Sequence, residues 1–291
     1  MRLPDFDYLE PRSVAEACAM LAEDPEHSAV FAGGTDVLVD LKLGAAAYRR
    51  LVSLRRIGEL DQIGFDERAG LSIGAMATVS RVAGDDRVRR HYPGIVEAAN
   101  CIAAVQVRNL ATVTGNLCAA VPSADMAPIL LAHGAKLRVV STEGERVIPA
   151  GRFFTGPRRT VLGPTDVMVA VEVPPPAAGS GDANLRQGGR VALSLPMAAV
   201  AAVVGMDGEV CTQAAVALGA VAPTPILVPG VGEHLGGKPL TAEVLQRAAE
   251  LAAADARPIS DVRASREYRL ELVKVLTRRV LTRAAERAAT A

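Results

Sequence analysis

The sequence predicts a protein of mixed helix and strand that is divided into more than one domain. Its 291 residues exceed the roughly 150 residues of an average domain, so about two or three packed units are expected. Helical and strand-like patterns follow one another along the chain, and a Pro- and Gly-rich stretch at residues 174–181 interrupts them. Half of the residues are hydrophobic but only 3% are aromatic. We therefore expect a core of Ala, Val, Leu and Ile.

The N-terminal segment predicts a small unit of the β-α-β type. Ser13 and Glu16 have the spacing of a capping box that opens an amphipathic helix. Residues 29–32 form a short apolar run, which predicts a strand that ends in the glycine turn at residues 33–36. A second strand is expected at residues 51–54.

The middle of the chain predicts antiparallel hairpins and several helices. Residues 105–125 lack a sustained period and are rich in Asn, Gly, Thr and Ser, so we interpret them as a long functional loop. The other elements expected here are a hairpin at residues 62–65 and 71–74, helices beginning near Thr78 and Pro93, a helix at 126–133, a hairpin at 136–140 and 146–148, and a strand at 167–173.

Residues 174–181 have the composition of a linker, and we place a domain boundary there. Beyond it we expect strands at residues 197–204 and 213–218, and a helix with Thr241 as its N-cap. The last helix, at residues 265–287, is expected to pack one apolar face on this sheet. That face is predicted to contain Tyr268, Leu272, Val275, Leu276 and Arg279.

Composition and charge argue against several classes of protein. The 32 Lys and Arg residues balance the 32 Asp and Glu residues, so the basic surface that binds nucleic acid is not expected. We also expect no membrane span, because the longest apolar stretch, residues 195–206, is about a dozen residues long. The four cysteines are scattered, which disfavours a disulfide framework, a zinc site or a self-contained iron–sulfur cluster and indicates a cytoplasmic protein.

Two polar, glycine-containing loops remain as candidate sites, and the first is Ala-Gly-Gly-Thr-Asp at residues 32–36. Glycines at the end of a strand can turn several backbone N–H groups toward one point and let a diphosphate approach closely. The Thr35 hydroxyl adds a further donor. An equally simple interpretation is an ordinary strand-to-helix turn in which Asp36 caps the next segment.

The second loop is Ala-Thr-Val-Thr-Gly-Asn at residues 111–116, with Gln-Val-Arg-Asn before it and Pro-Ser-Ala-Asp after it. So many polar side chains need hydrogen-bond partners, and a polar ligand can supply them. The alternative is a solvated loop. Motifs for Walker, Rossmann, zinc-protease or serine-hydrolase chemistry are missing, and the four histidines stand far apart.

The two loops together, in this order and at this chain length, resemble the flavin-binding medium subunit of the molybdenum hydroxylases. That family includes carbon monoxide dehydrogenase, 4-hydroxybenzoyl-CoA reductase and the flavin domain of xanthine dehydrogenase. Residues 219–225 and 267–279 also resemble segments of the family's C-terminal domain, so the resemblance covers essentially the whole chain. It implies an α+β fold, with a two-part FAD-binding domain of the PCMH/VAO type at residues 1–56 and 57–176 and an antiparallel sheet with helices at 182–291.

The resemblance also assigns the residues that hold FAD, and it implies no catalytic residue and no metal ligand in this chain. Backbone amides of the two loops would bind the diphosphate, and Asp125 would bind a hydroxyl of the ribityl or ribose group. Ile102 would lie near the flavin ring, Met168 would touch the cofactor, and Arg186 would stand near the isoalloxazine. The assigned positions are Val30, Phe31, Ala32, Gly33, Gly34, Thr35, Asp36, Val37, Ile102, Thr112, Gly115, Asn116, Asp125, Met168 and Arg186.

Two positions depart from the family pattern. Thr114 replaces a glycine of the usual Thr-x-Gly-Gly-Asn loop, so either its φ is negative or its hydroxyl contacts the ligand. Arg186 replaces a lysine, which exchanges a compact ammonium for a planar fork. The inserted cysteine cluster of 4-hydroxybenzoyl-CoA reductase is missing after the second loop, and Cys118 is therefore expected to be a small packed residue.

The resemblance implies an electron-transfer subunit of a heterotrimeric oxidoreductase. A large subunit would carry the molybdenum–pterin, a small subunit two [2Fe–2S] clusters, and the FAD held here would pass electrons to an external acceptor. Two other hypotheses stay open. One is a non-catalytic assembly module that has lost FAD, which the Thr114 replacement motivates. The other is a stand-alone flavin oxidoreductase with its own substrate pocket.

Overall fold

The protein is described here by a computed structural model that covers residues 2–190 and 193–290. Its first part is a three-stranded parallel sheet with two helices. The Ser13 hydroxyl accepts a hydrogen bond from the Glu16 N–H at 3.1 Å, which confirms the predicted helix start. The elements are β1 (Asp7–Leu9), α1 (Val14–Glu23), β2 (Ser28–Phe31), α2 (Val37–Leu43) and β3 (Arg50–Ser53), with the strand order β1-β3-β2.

The second part is a five-stranded antiparallel sheet with helices between its second and third strands in the chain. The order of strands in this sheet is β4-β5-β10-β6-β7, and β8 and β9 form a separate small hairpin. Its elements are β4 (Ile63–Asp66), β5 (Gly70–Gly74), α3 (Val79–Gly84), α4 (Asp86–His91), α5 (Pro93–Cys101), α6 (Val105–Arg108), α7 (Val113–Cys118), α8 (Ala127–Ala132), β6 (Lys136–Ser141), β7 (Gly144–Pro149), β8 (Phe154–Gly156), β9 (Arg159–Thr160) and β10 (Val167–Val173).

The third part is an antiparallel sheet covered by two long helices. Helix α11 packs across β11 and β12, and α10 packs against α11. The elements are β11 (Ser180–Gly188), β12 (Pro196–Asp207), β13 (Val210–Gly219), β14 (Ile226–Leu227), α9 (Pro229–Leu235), β15 (Lys238–Pro239), α10 (Ala242–Asp255) and α11 (Arg266–Ala288). The core consists of three buried apolar clusters composed mainly of Ala, Val, Leu and Ile. One lies mainly in the second part, one lies in the third part, and one joins the first part to β10 of the second.

Two expectations about the elements were wrong, and a third was only partly right. The predicted loop at residues 105–125 contains the short helices α6 and α7, because each is too short to show a helical period. The strand β11 was not predicted, and it begins at Ser180 inside the expected linker.

The predicted apolar face of the last helix was partly right: Leu276 is buried and Leu272 packs against the core, whereas Tyr268 and Arg279 are exposed. Tyr268 is 51% exposed, whereas Arg269 is 2% exposed. Arg269 donates to the carbonyl of Met197 at 2.6 Å and pairs with Asp261 at 2.8 Å, so its charge is paired inside the protein even though its Nε has no partner among the described residues. The buried residues are Arg269, Val273, Leu276, Thr277, Val280, Leu281, Ala284 and Ala288.

Candidate functional site

The first loop joins β2 to α2. Val30 and Phe31 end the strand, and Val37 is the first residue of the helix. Gly34 has a φ of +74°, which a glycine adopts at little cost. Asp36 stands at the N-cap position of α2, but its side chain makes no capping hydrogen bond.

Four consecutive backbone N–H groups of this loop are free. Those of Gly33, Gly34, Thr35 and Asp36 donate no hydrogen bond to any residue in the described ranges 2–190 and 193–290. All four lie outside the regular part of a helix or strand. Unpaired amides that follow one another along a turn suit a group with several anionic oxygens, and a diphosphate is such a group.

The second loop opens α7, and its threonines point into the protein. The Thr112 hydroxyl accepts a hydrogen bond from the Gly115 N–H at 3.0 Å. Thr114 is 3% exposed, and its hydroxyl donates to the carbonyl of Ala75 at 2.9 Å. It lies in the helix and is not among the residues with positive φ. Of the two explanations considered for this replacement, the negative φ is therefore the one found.

The two loops touch each other through their backbones. A β-carbon added to Gly33 would stand 2.1 Å from the carbonyl oxygen of Leu110 and 3.0 Å from the Cα of Ala111. Only a glycine allows this approach. The residues predicted in the two loops are thus brought together, although about eighty positions separate them in the chain.

Asn116 connects the second loop to the segment that carries Asp125. Its side-chain oxygen accepts a hydrogen bond from the N–H of Met126 at 3.2 Å. The amide side chain therefore fixes the start of α8, and with it the neighbouring aspartate, relative to α7.

Asp125 and Arg186 form a nearly buried ion pair. Their Oδ1 and Nη1 atoms are 3.0 Å apart, and the side chains are 12% and 8% exposed. Arg186 also donates to the carbonyl of Ser194 at 2.9 Å. Desolvation raises the pKa of Asp125 to about 6, and the Arg186 charge and hydrogen bond oppose that rise. Two predicted site residues from different parts of the fold thus lie side by side, which no spacing in the sequence indicated.

The two apolar site residues lie in the core of the second part. Ile102 is 7% exposed at the end of α5, and Met168 is 4% exposed on β10. Both belong to one buried cluster. Cys118, expected to be a small packed residue, keeps an exposed surface at the end of α7, although burial of its thiol raises its pKa.

Two residues that make ion-pair contacts, Asp182 and Arg158, were missed from the sequence. Asp182 on β11 accepts a hydrogen bond from the Gly94 N–H at 3.0 Å and lies 2.8 Å from Nε2 of His133. Arg158, at the tip of the β8–β9 hairpin, pairs with Asp40 of α2 at 2.9 Å. A Pro before Arg158 was the one available signal, since it marks a turn.

A cavity of about 680 Å³ lies away from the two loops. It is formed between the start of α5, residues 174–182 and the strands β12 and β13. Within residues 2–190 and 193–290 no cluster of three potential metal ligands was found. None of the helices in the same ranges has the length and hydropathy needed to cross a bilayer.

The parallel three-stranded unit, the antiparallel sheet beside it and the two touching loops define the class: a two-part cofactor-binding domain with an α+β C-terminal domain, as found in flavin-dependent oxidoreductases. Residues 4–176 match the family described as FAD binding domain in molybdopterin dehydrogenase, and residues 183–284 match the CO dehydrogenase flavoprotein C-terminal domain. The chain belongs to this family of FAD-binding subunits of molybdenum hydroxylases. The family resemblance and the α+β fold class predicted from the sequence are confirmed.

Several relatives are similar over nearly their whole length. The xanthine dehydrogenase FAD-binding subunit of Escherichia coli O157:H7 is 34% identical over 282 residues, which is 96% of both chains. The carbon monoxide dehydrogenase medium chain of Afipia carboxidovorans is 34% identical over 97% of this chain and 98% of its own.

Solved structures show the same fold. A chain of a Cu,Mo-CO dehydrogenase in its cyanide-inactivated form superimposes with a TM-score of 0.95 at 33% identity, covering 99% of this chain and 100% of that one. A chain of quinoline 2-oxidoreductase from Pseudomonas putida 86 gives a TM-score of 0.93 at 33% identity, covering 99% of each.

Proposed function

We propose that this chain is the electron-transfer subunit of a multi-subunit molybdenum hydroxylase and that the two touching loops hold its FAD. The observation that carries the proposal is the row of four free N–H groups at residues 33–36 beside the buried Thr112 turn. A bound flavin supplies a centre that accepts electrons and passes them on, and it needs no general base from the protein.

Each part of the site has a role in this proposal. The free amides of the first loop and the residues Thr112, Gly115 and Asn116 form the cradle for the diphosphate. Asp125 uses one carboxylate oxygen for Arg186, and its second oxygen accepts a sugar hydroxyl. Arg186 places its planar guanidinium beside the ring system, with its charge paired to Asp125.

The proposal extends to partners and location. The relatives are named as medium chains or FAD-binding subunits of larger enzymes, and a large molybdenum–pterin subunit and a small [2Fe–2S] subunit would complete the heterotrimer here. An external acceptor would take the electrons. The cytoplasm is the proposed location, since the four cysteines are free. We also keep the proposed domain limits of 1–56, 57–176 and 182–291.

Thr114 motivated the rival hypothesis of an assembly module without FAD. Its hydroxyl donates to the Ala75 carbonyl and its φ is not positive, so the side chain fits this position without backbone strain, which supports the flavoprotein. No specific observation favours a stand-alone flavin oxidoreductase. That hypothesis requires flavin reduction by a small molecule without partner subunits.

Two experiments test the proposal. The purified full-length chain should take up FAD in near-equal amount, and a chain that stays colourless after incubation with FAD contradicts it. In the complex isolated from its native source, removal of FAD should leave the iron–sulfur centres reducible by substrate but stop reduction of the acceptor. Added FAD should restore it. Undiminished acceptor reduction by the FAD-free complex would refute the electron-transfer role.

A further inference from the structure

The tip of the β8–β9 hairpin has an unexpected backbone conformation. Pro157 and Arg158 are its two central residues, and Arg158 has a φ of +56°. A proline followed by a left-handed residue is the pattern of a type II turn, in which glycine is strongly preferred at the second position. An arginine with a positive φ is strained in its backbone, and a glycine at this position would not be. The strain therefore indicates that the arginine side chain has a role.

Arg158 joins two elements that the candidate site needs. Its N–H donates to the carbonyl of Ala120 at 2.8 Å, just beyond the end of α7. Ala120 itself has a φ of +46°. The guanidinium reaches the other way, and its Nη1 lies 2.9 Å from Oδ2 of Asp40. The hairpin tip therefore holds the helix after the second loop to the helix after the first.

Without Arg158, two negative charges at the start of α2 would have no positive charge beside them in the part of the chain that the structure describes. Asp36 and Asp40 are one helical turn apart, and the Asp40 N–H donates to the Asp36 carbonyl at 2.9 Å. Partial enclosure raises the pKa of Asp36 and the charge of Asp40 adds to the rise, whereas Arg158 opposes it. Two carboxylates beside the free amides would repel an anionic cofactor, and Arg158 offsets them.

We propose that the Arg158–Asp40 ion pair is a clasp that holds the two loops at the spacing FAD requires and offsets the carboxylates at the mouth of the cradle. Arg158 is thus a positioning residue. It acts through Asp40 on the first loop and through Ala120 on the second. The inference rests on the proposed function, because FAD is the ligand whose retention it explains.

The glycine substitution separates the clasp from the fold of the hairpin. Arg158→Gly removes the guanidinium and relieves the positive φ, so the hairpin should stay folded. In the full-length chain, FAD titration followed by flavin fluorescence should show a Kd about three- to tenfold higher. Arg158→Lys should lie between this variant and the unaltered chain. The matched control is Arg159→Gln, an exposed arginine one residue away, which should change the Kd less than about twofold.

Reversing the pair tests whether Arg158 acts through Asp40. The double variant Arg158→Asp with Asp40→Arg keeps the net charge and should recover most of the lost affinity. A reversed pair that binds FAD as weakly as Arg158→Asp alone would overturn the clasp. So would an unchanged Kd for Arg158→Gly.

A second measurement does not depend on the cofactor. Amide hydrogen exchange of the FAD-free chain should be faster at residues 32–43 and 112–120 in Arg158→Gly than in the unaltered chain. If the unaltered chain binds no FAD, the proposed function fails, and this exchange difference still supports or refutes the clasp. If the chain binds FAD and neither the Kd nor the exchange responds, only the clasp fails.

Discussion

The contact between the two loops can be broken by one methyl group, at Gly33. In Gly33→Ala the new β-carbon would stand 2.1 Å from the carbonyl oxygen and 2.7 Å from the carbonyl carbon of Leu110. Both are backbone atoms, so no side chain can rotate away to relieve the overlap. The loops must part, and we expect FAD binding to weaken with little change elsewhere.

The size of the effect follows from the overlap. Ordinary contact begins at 3.4 Å, so the two backbones must separate by about 1 Å, and overpacking of this kind costs about 1–3 kcal/mol. That separation widens a cradle made of fixed backbone donors, which tolerate little displacement. We expect FAD to bind about 10- to 100-fold more weakly, which corresponds to about 1.4–2.8 kcal/mol.

The assay compares three glycines by FAD titration and thermal unfolding. Gly58→Ala is the neutral control, because nothing lies within 4 Å of its added β-carbon. Gly232→Ala is the control for strain: its β-carbon would stand 2.3 Å from the carbonyl oxygen of Ala214 in the C-terminal domain. It should lower the melting temperature as Gly33→Ala does, but the folded fraction should bind FAD normally.

Two results would refute this reasoning. One is a Gly33→Ala chain that binds FAD with unchanged affinity, since the loops then need not touch. The other is a Gly232→Ala chain whose FAD affinity falls as far as that of Gly33→Ala, because the loss would then reflect general destabilisation.

Three further substitutions test other contacts. Thr114→Val removes a buried hydrogen bond and should lower the free energy of unfolding by about 1–2 kcal/mol, while its FAD affinity stays within about twofold of that of the unaltered chain. The control Thr114→Ser should behave as the unaltered chain. Urea unfolding measures the stability of these variants, and FAD titration measures their affinity. Asp182→Ala leaves the buried His133 ring without its partner and should lower the free energy of unfolding, measured in urea, by about 3 kcal/mol. A decrease of less than about 1 kcal/mol would count against this contact. The pKa of Asp125 is higher in the folded chain than in the unfolded chain, so its contribution to stability is greatest at low pH and declines as the pH rises from about 4 to about 6. The Asp125→Asn chain should therefore gain stability relative to the unaltered chain over that range. Parallel pH profiles of the two chains would contradict the shift.

The sequence predicted those elements whose signal is local. The N-caps at Ser13 and Thr241 and the strand at 167–173 all appear in the structure. Their patterns depend on neighbouring residues alone, because a cap needs one side chain and the amide three positions ahead. The glycine loop at residues 32–36 was recognisable for the same reason.

Contacts between distant residues could not be predicted in this way. Position 33 must be a glycine because its backbone meets the backbone of Leu110. No pattern within either segment encodes that contact. Burial of Arg269 depends on the Met197 carbonyl and on Asp261, which the helical period of residues 265–287 does not encode. Family resemblance supplied Asp125 and Arg186 separately, and their pairing emerged only from the fold.

Strand β11 explains why the C-terminal domain matters to a site whose loops lie in the other parts. Asp182 and Arg186 are four residues apart on this strand, so both side chains point to the same face. Asp182 binds the Gly94 N–H at one end of that face, and Arg186 pairs with Asp125 at the other. A register shift of one residue would turn both away and leave their buried partners unsatisfied. The buried Asp182 contacts therefore fix the register that places Arg186 beside Asp125. If the proposed function holds, the C-terminal domain positions this arginine for the flavin site.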